Sequence, residues 1–248
     1  MITQYQRDQI EYYCKKLRLT NLASNIESVE AECHEEFLLK LLAREVESRE
    51  RKRINRLIKD AGFGVIKTFD NYSLDHIDIP ASIEFEDMKI CDFIKRQENI
   101  ICYGAEGRGK THLATAIGVN ACKQGYRVRF VNTAALVNEL VDAQGKGQIR
   151  KLLREYEKID LWIFDEWGYV PIDHQGAKLL FQIVSSCYER KSIIITTNLE
   201  FGKWNGIFMD DKLTSALIDR LIHHSHLLIF DELKESYRLT HALMNKRK

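Results

Sequence analysis

The feature that most constrains this sequence is a glycine-rich segment of the pattern G-x4-G-K-T, formed by Gly104, Ala105, Glu106, Gly107, Arg108, Gly109, Lys110 and Thr111. An apolar stretch at 99–103 precedes it, and a helical pattern at 110–124 follows it. Glycines let the backbone adopt positive φ and turn several N–H groups toward one anion, at which the following helix also directs the positive end of its dipole. The segment therefore predicts a phosphate-binding loop between a strand and a helix.

Alternating strand and helix patterns surround this loop in the second part of the chain. Apolar stretches with the length of buried strands lie at 99–103, 127–132, 161–164, 192–197 and 227–230. Helical patterns at 110–124 and 175–188 lie between them. Because strands that alternate with helices form right-handed βαβ units, we predict an α/β fold of the P-loop type with a mostly parallel, five-stranded sheet.

The first sixty residues have a different character. Their apolar residues recur at helical spacing, and neither Pro nor Gly occurs before Gly62. Gly62, Gly64 and Pro80 then interrupt regular patterns. We predict a small all-α domain at 1–60, an extended linker at 61–82 and the α/β domain at 83–248.

Polar residues follow two of the predicted strands, where ligands bind in open α/β sheets. Asp165 and Glu166 follow one strand, and Asn198 follows another. Lys110 is expected to contact the β- and γ-phosphates of ATP, while Thr111 and Asp165 hold Mg²⁺. Glu166 would activate the attacking water, and Asn198 would orient it. The acid pair favours hydrolysis over the alternative, a non-hydrolysing and nucleotide-gated DNA-binding scaffold.

Composition and charge exclude several classes of protein. The net charge of +1 does not by itself indicate a polyanionic partner, and the six cysteines are far apart with no CxxC pair, as in a reduced cytosolic protein. The N-terminus has no apolar leader and no apolar run is long enough to span a bilayer, so we predict a cytoplasmic protein with no membrane partner.

Basic residues gather in one short stretch of the N-terminal region. Residues 49–59 contain six basic side chains and one acidic side chain. Five of the basic residues, which we predict to contact DNA phosphates, recur near helical spacing: Arg49, Lys52, Arg53, Arg56 and Lys59. Lys146, in a predicted loop with two glycines at 144–151, is a further candidate. A solvated helix face or a subunit contact remains the alternative for the stretch, and a flexible surface loop for Lys146.

Three histidines within four positions could suggest a metal site, but their spacing does not favour one. His223, His224 and His226 lie close together in the chain. Adjacent histidines at a helix end are expected to point in different directions, and no carboxylate or cysteine partner is evident from the sequence. We therefore expect no metal at this cluster.

Several longer segments are specific to one family. They are GKTHLA at 109–114, DEWGYVP at 165–171, TN at 197–198 with FGKW at 201–204, LIDRLIHH at 217–224 and ESYRL at 235–239. Together these segments resemble the IstB-type AAA+ ATPases, which assist the transposases of bacterial insertion sequences and are relatives of the DnaC-type helicase loaders. The resemblance extends over nearly the whole chain.

The resemblance carries further expectations. It implies an AAA+ domain with a short or truncated lid. Nucleotide contacts are expected from the loop residues 104–111 and from His112, for which a structural role is the alternative. It also implies that Arg220 acts as an arginine finger in a neighbouring subunit, so that a homo-oligomer binds ATP at its interfaces. Arg238 matches a second nucleotide-sensing arginine. The implied partners are target duplex DNA and a transposase, and the alternative is a helicase loader that binds single-stranded DNA.

Overall fold

The computed structural model describes residues 3–19, 21–70, 72–169, 172–204, 208 and 210–230. Arg238 and the predicted lid residues after 230 lie outside this range. The chain divides into two compact units, Met1–Arg56 and Leu57–Lys248, which are described separately. In the described range, no helix is both long and apolar enough to cross a membrane.

The first unit is helical. It contains α1 (Gln4–Lys16), α2 (Leu22–Asn25) with a following 3-10 turn (Ile26–Ser28), and most of α3 (His34–Ala61), which continues into the second unit. Glu45 is the charged side chain buried in this unit, and it accepts hydrogen bonds from the Asn21 N–H and the Arg49 side chain, both at 2.8 Å. Burial opposes ionisation of Glu45, but these two donors hold its pKa below the usual range.

The second unit contains a sheet of six strands. They are β1 (Ile77–Asp78), β2 (Asn99–Gly104), β3 (Val128–Asn132), β4 (Leu161–Asp165), β5 (Ser192–Thr197) and β6 (Ser225–Phe230), in the order β1-β6-β2-β5-β4-β3. All neighbours pair in parallel except β1, which is antiparallel to β6. The five predicted strands are confirmed. The prediction of five strands in total was wrong, because β1 has only two residues and lies within the segment 61–82 that patterning predicts as a linker.

Helices cover both faces of this sheet. They are α4 (Phe85–Lys89), α5 (Asp92–Lys95), α6 (Lys110–Lys123), α7 (Thr133–Gly145), α8 (Ile149–Tyr156), α9 (His174–Cys187) and α10 (Asp211–Ile222). The segment 144–151, predicted as a loop, is instead the end of α7, a short turn and the start of α8. α7 extends to Gly145 with Lys146 as its C-cap, and α8 begins three residues after Lys146, so only a short turn separates the two helices.

The alternation of strand side chains produces two apolar clusters, one on each face. Trp162 and Phe164 of β4 join the cluster with α7, α9 and α10, whereas Leu161 and Ile163 join the cluster with α6. The strands are therefore buried on both faces, as expected for a parallel sheet covered by helices. Because β2, β4 and β5 are parallel, their carboxyl ends meet at one edge of the sheet.

Gly118 tests how closely α6 approaches the sheet. A Cβ at this position would lie 2.7 Å from Ile163 Cδ1 and 2.9 Å from the Phe63 ring. We expect Gly118→Ala to destabilise the protein by about 1–3 kcal/mol, because this contact must be relieved in a packed core. Gly145→Ala is the matched control, since a Cβ there meets nothing within 4 Å, and helix propensity predicts a gain of up to about 1 kcal/mol. Chemical denaturation measures both, and an equal effect of the two changes would contradict the packing argument.

Candidate nucleotide-binding site

The glycine-rich loop connects the end of β2 to the start of α6. Gly107 and Gly109 have φ of 74° and 90°, in the left-handed region that glycine adopts without strain. Lys110 is almost fully buried, and its Nζ donates hydrogen bonds to the carbonyl oxygens of Gly104 and Ala105 at 2.7 and 2.6 Å. The loop therefore curls around the lysine ammonium.

The first turn of α6 can accept an anion. Gly109 is the N-cap, none of the described side chains caps this end of the helix, and no acidic residue lies in the first turn. The N–H groups of the first turn and the positive end of the helix dipole thus lie at the loop together with Lys110. This donor set fits the phosphates of a nucleotide.

One carboxylate oxygen connects the loop to two strands. Asp165 Oδ1, at the end of β4, accepts hydrogen bonds from Thr111 Oγ1 at 2.9 Å and from Thr196 Oγ1 at 2.6 Å. Thr111 and Asp165, the two predicted magnesium ligands, are therefore adjacent. Hydroxyl and carboxylate oxygens are the donors that Mg²⁺ prefers, so these residues fit the metal. Thr196 was missed because the sequence argument selected Asn198, two residues later in the same polar run.

Glu166 is held by a partner that the sequence argument also missed. Its φ of 56° lies in the left-handed region, and its N–H donates to Thr196 Oγ1 at 3.0 Å. The Asn132 amide donates to Glu166 Oε2 at 2.6 Å, while Asn132 Oδ1 caps α7. Asn132 ends β3, on the opposite side of β4 from the loop, so the carboxylate points away from the phosphate site. Asn198 was predicted because it is a polar residue at the end of a strand, and the same criterion would have selected Asn132.

The segment before the sheet lies against the loop. His76 donates to the Arg108 carbonyl at 2.9 Å, and Tyr72 Oη donates to the Gly109 carbonyl at 3.2 Å. His112 bonds to the Thr68 carbonyl at 2.9 Å, and its ring lies 4.8 Å from that of Tyr72. Burial raises the pKa of Tyr72 well above its usual range. Thr68, Tyr72 and His76 therefore form one wall of the site, a role that the prediction of 61–82 as an extended linker does not include.

Glu106 has a partner across the mouth of the loop. Its carboxylate accepts a hydrogen bond from Tyr169 Oη at 2.9 Å. Burial and this contact raise the pKa of Tyr169 to about 12. The Glu106 carboxylate is therefore hydrogen-bonded to the segment that follows β4, and it is not left without a partner in the loop.

The other predicted site residues lie in several elements. Asn198 is exposed just after β5 and lies beside the start of the loop, because Thr197 pairs with Tyr103. Arg220 lies in the last turn of α10, donates to the Ala216 carbonyl at 2.9 Å and stacks on the Phe181 ring at 5.1 Å. Lys146 is exposed and lies 3.8 Å from Asp142.

The basic residues of α3 are exposed and several have local partners. Arg49 pairs with Glu45 and donates to the Arg18 carbonyl. Lys52 donates to Asn21 Oδ1 at 3.2 Å, and Arg53 pairs with Glu50 at 3.4 Å. Arg56 and Lys59 are exposed on the same helix.

Sequence comparison with known proteins identifies relatives that are named as ATP-binding proteins. A family model described as IstB-like ATP binding protein matches residues 13–245. A Geobacillus stearothermophilus protein, named as the ATP-binding protein of insertion sequence IS5376, is 35% identical over 248 residues and covers 98% of each chain. The corresponding IS232 protein of Bacillus thuringiensis subsp. berliner is 36% identical, over 82% of this chain and 81% of its own.

Solved structures share the fold at low identity. Domain III of the replication initiation protein DnaA from Thermotoga maritima aligns with a TM-score of 0.53 and 22% identity, over 73% of this chain and 74% of its own. DnaI aligns with a TM-score of 0.53 and 14% identity, over 71% of this chain and 93% of its own. Both are AAA+ proteins. The chain therefore belongs to the family of IstB-like ATP-binding proteins, and it is an ATPase with the AAA+ fold.

Proposed function

We propose that this chain is an ATP-dependent, DNA-binding regulator of transposition that oligomerises on target duplex DNA and recruits or stimulates the transposase of an insertion sequence. The observation that carries the proposal is the contact between Thr111 and Asp165 beside the glycine-rich loop. It assembles a nucleotide site in a chain whose relatives are named as insertion-sequence ATP-binding proteins.

In this proposal, the carboxylates of Asp165 and Glu166 have different roles in hydrolysis. Thr111 and Asp165 would hold Mg²⁺, which supplies charge neutralisation at the phosphates. Glu166 would polarise the attacking water, and for that its side chain must leave the Asn132 amide and turn toward the loop. Asn198, exposed at the same edge of the sheet, would orient the water.

The position of Arg220 supports catalysis between subunits. β6 begins opposite the start of β2, since Ser225 pairs with Asn99. Arg220 precedes β6 by a few residues and is thus near the edge where β2 begins, whereas Lys110 follows its end. A six-residue strand separates these edges by about 17 Å. Arg220 is therefore too far from its own loop, and a role at the γ-phosphate requires a second copy of the chain.

DNA binding in this proposal uses the basic face of α3. Lys52, Arg53 and Lys59 are exposed side chains of one continuous helix. Their charge can neutralise phosphates with little dependence on base sequence, because phosphates are present at every step of a duplex. Lys146, in the turn between α7 and α8, is a separate candidate for a DNA contact.

The α3 helix also offers a surface for a protein partner. Leu38, Leu42 and Val46 are exposed by 54%, 42% and 66% and recur every four residues. Apolar side chains at this spacing form one helix face, and such a face favours association with another protein. In the proposal this face contacts the transposase.

The role of Glu166 is tested by Glu166→Gln. We expect the variant to bind ATP with unchanged affinity but to lower steady-state turnover by about 100-fold or more, because an amide cannot act as a base. The Gln side chain can still accept the Asn132 hydrogen bond, so the fold should be unaffected. Glu155→Gln, on α8 and remote from the loop, is the control. Normal turnover in Glu166→Gln would remove this residue from the mechanism.

Arg220→Ala tests catalysis in trans. The variant should bind ATP and lower turnover by about 1000-fold or more, as expected for loss of an arginine finger. Mixing it with Lys110→Ala subunits should restore part of the activity, since a mixed interface combines an intact loop with an intact Arg220. Arg154→Ala is the control for loss of an exposed arginine. Failure of every mixing ratio to restore turnover would argue against action between subunits.

The basic face is tested by the double change Lys52→Gln and Arg53→Gln. We expect weaker binding to duplex DNA in the presence of an ATP analogue. The binding constant should also depend less steeply on salt concentration, by an amount that corresponds to about two phosphate contacts. Lys15→Gln with Lys16→Gln is the control, because it removes the same charge from α1 in the same unit. Fluorescence anisotropy with duplex and single-stranded oligonucleotides measures both. Binding to single strands alone would favour a helicase loader instead.

A further inference from the structure

A cluster of metal-ligating side chains lies where α9 and α10 end, outside the nucleotide site. His223 Nδ1 lies 3.0 Å from His224 Nε2, and His224 Nε2 lies 3.6 Å from a carboxylate oxygen of Glu189. The three ligand atoms all lie within 4.8 Å of one another, and all three residues are exposed. Among the described residues, no other group of three or more His, Cys, Asp or Glu side chains has the spacing of a metal site.

The expectation that these two histidines point apart was wrong. α10 ends at Ile222, and His223 is its C-cap, so the backbone leaves the helix between the two residues. The sequence showed no carboxylate partner because Glu189 is 34 residues earlier in the chain. It lies two residues after the end of α9, and the packing of α9 against α10 in the same apolar cluster brings it to the histidines.

The distances agree with one shared cation. Zn²⁺ binds His nitrogens at about 2.0–2.1 Å and carboxylate oxygens at about 2.0–2.2 Å, so neighbouring ligand atoms in a tetrahedral site are about 3.3–3.5 Å apart. The observed separations of 3.0 and 3.6 Å lie on either side of this value. Rotation of the exposed side chains would bring the three ligand atoms, which lie within 4.8 Å of one another, to this spacing.

The residues that follow α9 contact the histidines. Glu189 has a φ of 54°, in the left-handed conformation that commonly ends a helix. Tyr188, the residue before it, places its hydroxyl 3.3 Å from His223 Nδ1, and its ring lies 6.2 and 6.3 Å from the two imidazole rings.

We propose that Glu189, His223 and His224 form a binding site for Zn²⁺, with solvent in the fourth position. The ion would join the C-terminal ends of α9 and α10. These are the same helices that Arg220 and Phe181 connect through their stacking contact. The site is separate from Thr111 and Asp165 and does not depend on nucleotide.

Zinc binding to the full-length, untagged protein tests this proposal. Isothermal titration with Zn²⁺ is carried out in excess Mg²⁺ and without nucleotide, so that carboxylates of the loop region do not contribute. We expect one equivalent of zinc per chain. His224→Gln and Glu189→Gln should each weaken binding by more than about tenfold, because even the loss of a residue behind a metal ligand costs about 10- to 100-fold.

His174→Gln is the matched control, since it removes an exposed histidine at the other end of α9. It should bind zinc as the unaltered chain does. Zinc should also raise the melting temperature of the unaltered chain and of His174→Gln, but not of the two ligand variants. The proposal is overturned if the unaltered chain binds no zinc, or if His224→Gln and Glu189→Gln both retain full affinity.

Discussion

The nucleotide site depends on one carboxylate oxygen, Asp165 Oδ1, which accepts hydrogen bonds from two threonine hydroxyls. Asp165 is 92% buried, and a buried carboxylate without such donors would be strongly destabilising. Thr111 ties it to the glycine-rich loop and Thr196 ties it to β5, so three separate segments meet at a single atom. The oxygen atoms of Thr111 and Asp165 are also suited to bind a magnesium ion. The hydrogen bond that orders the site therefore lies where the metal would bind.

Around this contact, each functional group is held by a neighbour that also has a structural role. Asn132 caps α7 and holds Glu166, while Thr196 binds both Asp165 and the Glu166 backbone. A movement of Glu166 toward the nucleotide is thus connected to the start of a helix. In the proposed mechanism, the remote position of Arg220 makes hydrolysis depend on a neighbouring subunit.

Patterning predicted the parts of the fold whose signals are local. The loop motif, five strands and helices α6 and α9 follow from glycine spacing, apolar runs and helical periodicity. The strand β1 could not be predicted this way, since two residues carry no periodicity and only pairing with β6 defines them. The turn between α7 and α8 was interpreted as a long loop because glycines at 145 and 147 suggest one, whereas Gly145 is in fact the last residue of α7.

The sequence by itself determined that the chain binds ATP and selected Lys110, Thr111, Asp165 and Glu166 as candidate site residues, because they belong to contiguous motifs whose spacing requires a strand-loop-helix geometry. Only the tertiary structure decided their partners. Tyr72, Asn132, Tyr169 and Thr196 reach the site from segments that are distant in the chain, and Glu189 meets His223 and His224 in the same way. Such contacts arise from the packing of helices and strands around a common core, and no local pattern encodes them.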